Sequence, residues 1–234
     1  MINKLWRFGD SWSTTDDKYD EIEKNHSHYV SEHFDLELNH HGRGGHSNLH
    51  IFSDILRLTP QFKEGDMVLI NFACKSRIGI INKSEVEKVK ENFPHVHHSK
   101  GVFSSHHKIG ELISTADGGT FTHTNKDLEN ILVNDVQHPI SDILFYLIRI
   151  HLHSLISQGI KVYHFYNDNI DENPNITNYI SNELIFNSRK RNFQSWIREQ
   201  KYQDLSPKGN VHYLIGKQRD IANKIIDLIE SNDK

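Results

Sequence analysis

The sequence is short of cysteine and of long apolar runs. Cys74 is the single cysteine, which excludes an internal disulfide framework and fits a reducing compartment. The most apolar stretch, residues 140–160, is interrupted by Asp142, Arg149 and His151, and a membrane-spanning helix needs roughly 18 consecutive apolar residues. The amino terminus lacks the apolar core of a secretory signal. We therefore expect no disulfide, no membrane partner and no secretion.

An excess of basic residues is missing as well. Lysine and arginine number 27 against 31 acidic residues, and no basic stripe is interleaved with aromatic residues. Nucleic acid is therefore not an expected partner. Histidine is abundant, with 18 copies, and nucleotide bias in the source genome explains this number as easily as chemistry does. The apolar fraction of 36% is enough for a packed core and excludes a disordered chain.

Strand and helix patterns alternate along the chain. Apolar runs predict strands at Lys4–Phe8, Phe34–Leu38, Met67–Phe72 and Lys161–Tyr166. Helical spacing predicts helices from Ser13, from Leu49 to Pro60, from Lys83 to Asn92, from Pro139 to Ser157 and from Lys217 to Ile229, with shorter pieces around Thr177–Phe186 and Arg191–Gln200. This alternation predicts an α/β fold with a parallel sheet.

The domain organisation follows from the same patterns. We find no internal repeat and no clean linker, so residues 1–234 are interpreted as one domain. An irregular insertion rich in histidine, serine and glycine is expected at about residues 95–135. The strongest predicted helix, Pro139–Ser157, places apolar residues from Ile143 to Leu155 on one side, among them Leu147 and Leu152.

Ser11 directly follows the first predicted strand, in the tripeptide Gly9-Asp10-Ser11. Parallel sheets place their ligand sites at the carboxyl ends of the strands. A serine hydroxyl at such a turn can attack a substrate, and the serine N–H at the start of the following helix can stabilise a developing oxyanion. The alternative is that Ser11 only caps this helix.

The loop after the second predicted strand brings further candidates to the same edge. Gly44 and Gly45 allow a main-chain N–H to approach a substrate closely, and Asn48 adds a side-chain donor. The alternatives are a tight turn for the two glycines and a helix cap for Asn48.

His212 is the candidate base. It lies between a turn at residues 206–209 and the last predicted helix, from where it can fold back over the carboxyl edge of the sheet. A serine becomes a nucleophile when a base is within hydrogen-bond reach. The acid nearest to it in the sequence on the amino-terminal side is Asp204.

In this order, the motifs resemble those of the SGNH, or GDSL-like, hydrolase superfamily. Gly9-Asp10-Ser11 resembles the family's first block, with Ser11 as the nucleophile, Gly45 matches the oxyanion glycine of the second block, and His212 resembles the base of the fifth. The resemblance implies a three-layer α/β/α sandwich with a mostly parallel, flavodoxin-like sheet. It also implies a serine ester hydrolase that needs no cofactor and acts on a small ester or an acylated glycan.

The third block departs from the family pattern. Where the family has Gly-x-Asn-Asp, this chain reads Phe-Ala-Cys-Lys-Ser-Arg at residues 72–77. The third oxyanion donor is therefore expected from Ser76 or Arg77, a variant associated with phage-encoded members, or from Asn71 or Asn48.

The fifth block departs too, because the residue three before His212 is Gly209 where the family has aspartate. This favours a Ser11–His212 dyad whose imidazole is oriented by the main chain. In an alternative alignment, Asp204 takes the place of the histidine itself, which predicts an inactive protein.

Two other functions stay open at this stage. One is a binding or structural module that keeps the fold without catalysis, for instance in a phage particle, so the expected location is the cytoplasm or a phage virion. The other is a metal protein that uses the histidine clusters, one of which comprises His40, His41, His46 and His50. No His-Glu-x-x-His motif is present and Cys74 is interpreted as a small buried residue, so no metal is expected.

Overall fold

The computed structural model of the chain describes residues 2–10, 23–42, 46–73, 78–80, 97–100, 113–115, 119–122, 138–167, 182–186, 192–202 and 216–233. The strands are β1 (Lys4–Gly9), β2 (Glu37–Gly42), β3 (Met67–Phe72), β4 (Ile78–Ile80), β5 (His97–Lys100), β6 (Ile113–Thr115), β7 (Gly119–Thr122) and β8 (Lys161–Tyr166). The α-helices are α1 (His26–His33), α2 (Asn48–Leu58), α3 (His138–Ser157), α4 (Phe193–Glu199) and α5 (Gln218–Asn232).

The main sheet has four parallel strands in the order β2-β1-β3-β8. The chain runs from β1 outward to β2, crosses back to β3 on the other side of β1, and continues to β8. This is the start of the flavodoxin-like strand order, and its direction reverses between β1 and β3. The sheet predicted from the sequence and from the family resemblance is confirmed.

Helices cover both faces of this sheet, which gives the three-layer α/β/α sandwich. On one face, α2 and α3 pack on apolar side chains of all but the edge strand β2. On the other face, α1, α4 and α5 enclose a second cluster that includes Leu5, Leu69 and Phe165. Strands β3 and β8 read as nearly continuous apolar runs because both of their faces are buried.

Asp66 joins the amino ends of three strands. Its carboxylate accepts hydrogen bonds from the main-chain N–H of Lys4 (2.9 Å) and from the indole Nε1–H of Trp6 (2.8 Å). Its main-chain carbonyl accepts one from the N–H of Lys161 (2.9 Å). The hydrogen bonds of Asp66 therefore hold the amino ends of these strands together and stabilise the fold.

Helix α3 ends where the sequence predicts. Gly159 has φ +79°, a conformation that glycine adopts without strain, and its N–H donates to the carbonyl of Ile156 at 3.0 Å. The turn leads directly into β8. Within the described part of the chain, no helix is long and apolar enough to cross a membrane.

Several element boundaries differ from the prediction. Strand β2 begins at Glu37 instead of Phe34, because Phe34 caps α1 and Asp35 turns the chain with φ 52°. The helix predicted around Thr177–Phe186 is wrong for residues 182–186, where Glu183 forms a parallel bridge with His164. The helices predicted from Ser13 and at residues 83–92 lie outside the described residues.

The predicted irregular insertion contains strands. Its described residues form β5, β6 and β7, which join β4 in a small second sheet of order β4-β6-β7-β5. These strands have only three or four residues each, too few for a periodic pattern to be visible in the sequence.

Candidate active site

Asp10 lies directly after β1, and its side chain is hydrogen-bonded to two other side chains at the carboxyl edge of the described sheet. Its carboxylate accepts hydrogen bonds from the side-chain amides of Asn167 (2.7 Å) and Asn71 (3.4 Å). The residue is only 1% exposed, so these amides replace water around the carboxylate. Because Asn71 belongs to β3 and Asn167 follows β8, Asp10 joins the carboxyl ends of three adjacent strands.

This edge is where the fold itself places a ligand site. The strand order reverses between β1 and β3, and α/β sheets bind ligands in the crevice outside such a reversal. Asp10 and Asn71 lie at the ends of these two strands.

Asn48 reaches the same edge from α2. It is the first residue of the helix, is buried, and donates its Nδ2–H to the carbonyl of Ala73 at 3.0 Å, directly after β3. The helix cap is Ser47, whose hydroxyl accepts from the N–H of His50. The alternative of a helix cap at Asn48 is therefore wrong by one residue, while its predicted role toward an oxyanion stays a prediction.

The other predicted site residues lie outside the described residues. They are Ser11, Gly45, Ser76, Arg77, Asp204 and His212. Of the residues predicted from the sequence, the structure places Asn48 and Asn71 at the edge that Asp10 marks.

His164 lies beneath this edge, in β8. Its ring is 1% exposed and packs against Phe72 (5.8 Å between centroids) and Tyr166 (5.4 Å). Burial lowers the pKa of His164 from 6.5 to about 3, so the imidazole is neutral and too weak a base to activate a hydroxyl near neutral pH. His164 is therefore not a candidate for a general base.

Arg7 carries a buried charge on the opposite face of the sheet. Its Nη1 donates to the main-chain carbonyls of Phe8 (2.7 Å) and Leu69 (3.2 Å), and its Nε donates to the hydroxyl of Ser27 (3.3 Å). Burial lowers the pKa of Arg7 to about 9, and the negative charge of Asp10 opposes this shift. The guanidinium is therefore charged near neutral pH and contributes a positive potential next to the Asp10 carboxylate.

The histidines near α2 form contacts among themselves. The rings of His46 and His50 lie 5.3 Å apart, and His46 Nδ1 is 4.0 Å from a carboxylate oxygen of Asp54. Over the described ranges of the chain, no group of three or more His, Cys, Asp or Glu side chains is arranged to hold a metal ion.

The sequence analysis missed two residues of this region, Asn167 and Arg7. Each can be recognised in the sequence by its position relative to an apolar strand. Asn167 is a polar residue directly after the apolar strand β8, as Asp10 is after β1. Arg7 is a charge in the middle of an otherwise apolar strand, which requires buried partners.

Comparisons with known proteins show a likeness of fold. No family model matches the sequence, and no curated protein matches it. The chain is similar in structure to the crystal structure of protein YXIM from Bacillus subtilis, with a TM-score of 0.51 and 8% sequence identity. The similarity covers 100% of this chain and 57% of that one, so this chain spans little more than half the length of its structural neighbour. At this identity the likeness establishes a distant fold relationship between two α/β proteins.

Proposed function

We propose that the protein is a serine hydrolase that cleaves an ester, with Ser11 as the nucleophile. The observation that carries the proposal is the buried Asp10 carboxylate, fixed by Asn71 and Asn167 at the point where the strand order reverses. Ser11 is the next residue, so covalent geometry keeps its Cα about 3.8 Å from that of Asp10. A rigid anchor directly before the nucleophile restricts the positions that its hydroxyl can take.

The reaction follows the acyl-enzyme route. Ser11 Oγ bonds to the acyl carbon as its proton passes to His212, and the ester alcohol leaves with that proton. Water then attacks the acyl-enzyme, its proton passes to His212, and the carboxylic acid departs as Ser11 regains its hydrogen. In both steps His212 returns the proton that it accepts, so Ser11 and His212 end in their starting states and no cofactor is required. His164 does not compete as base, because burial keeps its pKa too low.

The oxyanion is held by the main-chain N–H groups of Ser11 and Gly45, with one side-chain donor. Asn48 and Asn71 are both candidates for that role, and each already donates its side-chain amide to one acceptor, Asn48 to the carbonyl of Ala73 and Asn71 to Asp10. The Nδ2 group of Asn48 has two hydrogens, and its bond to Ala73 uses one. Ser76 and Arg77, which follow β3 in sequence, are further candidates for the same donor.

The proposed substrate is a small ester or an acylated glycan. This substrate class is the one that the resemblance of the Gly9-Asp10-Ser11 motif to GDSL-like hydrolases implies.

Active-site labelling tests the proposal. The full chain is incubated with a fluorophosphonate and its intact mass is measured, beside Ser11→Ala, His212→Ala and Asp204→Asn. One adduct is expected on the wild-type chain, none on Ser11→Ala and a strongly reduced yield on His212→Ala. Full labelling of Asp204→Asn is expected for a Ser11–His212 dyad.

The matched controls are Ser157→Ala and His33→Ala, two exposed positions that are expected to label like wild type. No adduct on folded wild-type protein would contradict the proposal. It would favour a binding module that has the fold without the chemistry, for instance in a phage particle.

A further inference from the structure

Most of the large apolar side chains that are exposed in the described part of the chain lie together on the outer side of α3. Ile143, Tyr146, Leu147 and Ile150 are 62%, 61%, 48% and 52% exposed. Their spacing of three, one and three residues places them on one face of the helix over two turns.

The exposed apolar surface continues onto α2 through Leu56, which is 46% exposed. Leu56 lies on the same face of α2 as Phe52, four residues before it, and Thr59, three residues after it. Both of these contact His151 of α3: the ring of Phe52 is 5.9 Å from the imidazole, and the hydroxyl of Thr59 is 2.9 Å from its Nε2. His151 lies one turn after Leu147, so Leu56 borders the outer side of α3.

These five side chains form one apolar patch, which comprises Leu56, Ile143, Tyr146, Leu147 and Ile150. Together they expose roughly 500 Å², an area as large as the largest apolar patch of a typical monomer, and such patches often bind a partner. Two copies that bury this patch against each other remove about 1,000 Å², which is the area that a specific interface has to reach. The patch is therefore large enough for a dimer, before any surrounding residue is counted.

The part of the patch on α3 is complementary to itself. The four positions are arranged symmetrically about the midpoint between Tyr146 and Leu147. If two α3 helices pack antiparallel about this midpoint, Ile143 faces Ile150 of the second copy, and Tyr146 faces Leu147 of the second copy. A two-fold axis brings the same surface of both copies together in this way, and no like charges meet at these positions.

A lipid surface fits the patch less well. Helices that lie on membranes carry several lysine and arginine residues beside their apolar face, because these attract anionic headgroups. The charged residues of α3 are Asp142 and Arg149, and the whole chain has a formal net charge of −4 with neutral histidine. These charges favour a protein partner.

The inner side of α3 holds the patch in place. Phe145, Ile148 and Leu152 are buried against the sheet, and the ring of Phe145 packs 5.6 Å from that of Phe72 and 6.3 Å from that of Tyr166. Because α3 is anchored along its length, little order has to be gained when its outer side is covered.

We propose that the apolar patch is the interface of a homodimer, in which two α3 helices pack antiparallel about a two-fold axis between Tyr146 and Leu147. The inference is independent of the proposed function, because the patch contains none of the candidate site residues.

Sedimentation equilibrium of the full chain tests the interface. The wild-type protein is expected to be a dimer at about 100 µM. Ile143→Glu and Ile150→Lys are each expected to weaken association at least about tenfold, because each buries a charge against an isoleucine of the second copy. Circular dichroism is expected to be unchanged, since both positions are exposed in the monomer. The matched control is Ile2→Glu, at an exposed isoleucine outside the patch, which is expected to stay dimeric.

The double variant Ile143→Glu with Ile150→Lys tests the antiparallel arrangement. In the proposed dimer, each introduced carboxylate faces an introduced ammonium group of the second copy, so the double variant is expected to associate more tightly than either single variant. In a parallel arrangement like charges would face each other. A double variant that is no better than the single variants would therefore overturn the antiparallel pairing.

Two further results would overturn the inference. One is a wild-type chain that is a folded monomer at this concentration, and cosedimentation of that monomer with phosphatidylcholine–phosphatidylglycerol vesicles would assign the patch to a lipid surface instead. The other is a dimer that persists unchanged in both single variants, which would place the interface elsewhere on the molecule.

Discussion

Asp10 and Asp66 are both buried carboxylates at strand ends, yet their partners differ in kind. Asp66, at the amino edge, is bonded by main-chain and indole N–H groups that begin the strands. Asp10, at the carboxyl edge, is bonded by two side-chain amides. Any residue at the start of a strand offers a main-chain N–H donor, whereas the two side-chain amide donors to Asp10 require asparagine at positions 71 and 167. At the residue scale, this difference is why Asp10, and not Asp66, marks the candidate site.

Asp10→Asn is expected to lower the free energy of unfolding by about 1–3 kcal/mol, because Oδ1 accepts both amides, and in asparagine this oxygen no longer carries the carboxylate charge that strengthens the two hydrogen bonds. It is also expected to reduce labelling of Ser11, since the anchor before the serine is loosened. Urea unfolding and labelling rates measure the two effects.

The control is Asp35→Asn, the same change at an exposed residue with φ 52°, a conformation that asparagine tolerates. It is expected to change the free energy of unfolding by no more than about 0.5 kcal/mol. Equal effects at the two positions would show that the bonds around Asp10 do not stabilise the protein.

The sequence analysis names Asp10 only as part of the tripeptide Gly9-Asp10-Ser11, and it misses its partner Asn167 and the buried pair His26 and Gln218. The reason is distance along the chain. The Asp10–Asn167 bond spans 157 residues and the His26–Gln218 bond spans 192. Local patterns predict which residues end an element, whereas contacts at such separations depend on strand order and helix packing.

At the element scale, α3 shows what periodicity can predict. Its existence and both ends are close to the prediction, yet the predicted apolar side is too wide. Leu152 is fully buried, whereas Ile143 and Leu147 are 62% and 48% exposed. The helix also carries Tyr146 and Ile150 on its exposed side, so apolar residues occur around most of its surface and more than one stripe fits the period.

The two sides of α3 are therefore expected to respond differently to the same substitution. Leu152→Ala leaves a cavity beneath the sheet and is expected to cost about 2–5 kcal/mol of the free energy of unfolding. Leu147→Ala is the matched control on the exposed side and is expected to cost less than about 1 kcal/mol. Both are measured by urea unfolding, and similar costs would mean that α3 packs through a different side.

At the scale of the whole molecule, the alternation of strand and helix was sufficient to predict the layers and the parallel sheet. It could not predict the second sheet, whose strands gain their structure from pairing and not from a local pattern. Nor does the alternation show that His26 and His164 are buried neutral on opposite faces, since eighteen histidines are distributed along the chain.

These two histidines make the stability of the whole molecule depend on pH. Burial is the main cause that lowers the pKa of each from 6.5 to about 3. Between these values the unfolded chain binds a proton on each ring and the folded chain does not, so stability falls as the pH decreases. Each ring contributes up to about 1.4 kcal/mol per pH unit in this window. Above about pH 6.5 both rings are neutral in the folded and in the unfolded chain, so this loss of stability is absent there.

Urea unfolding between pH 7.5 and 4.5 measures this dependence. His164→Leu removes one titrating group, so the slope of the free energy of unfolding against pH is expected to decrease by up to about 1.4 kcal/mol per unit below pH 6, whatever the change in absolute stability. Gln158→Leu, at an exposed position without an ionisable group, is the control and is expected to keep the wild-type slope. An unchanged slope in His164→Leu would mean that this ring binds protons equally in the folded and the unfolded chain, which is incompatible with its buried place among Phe72 and Tyr166.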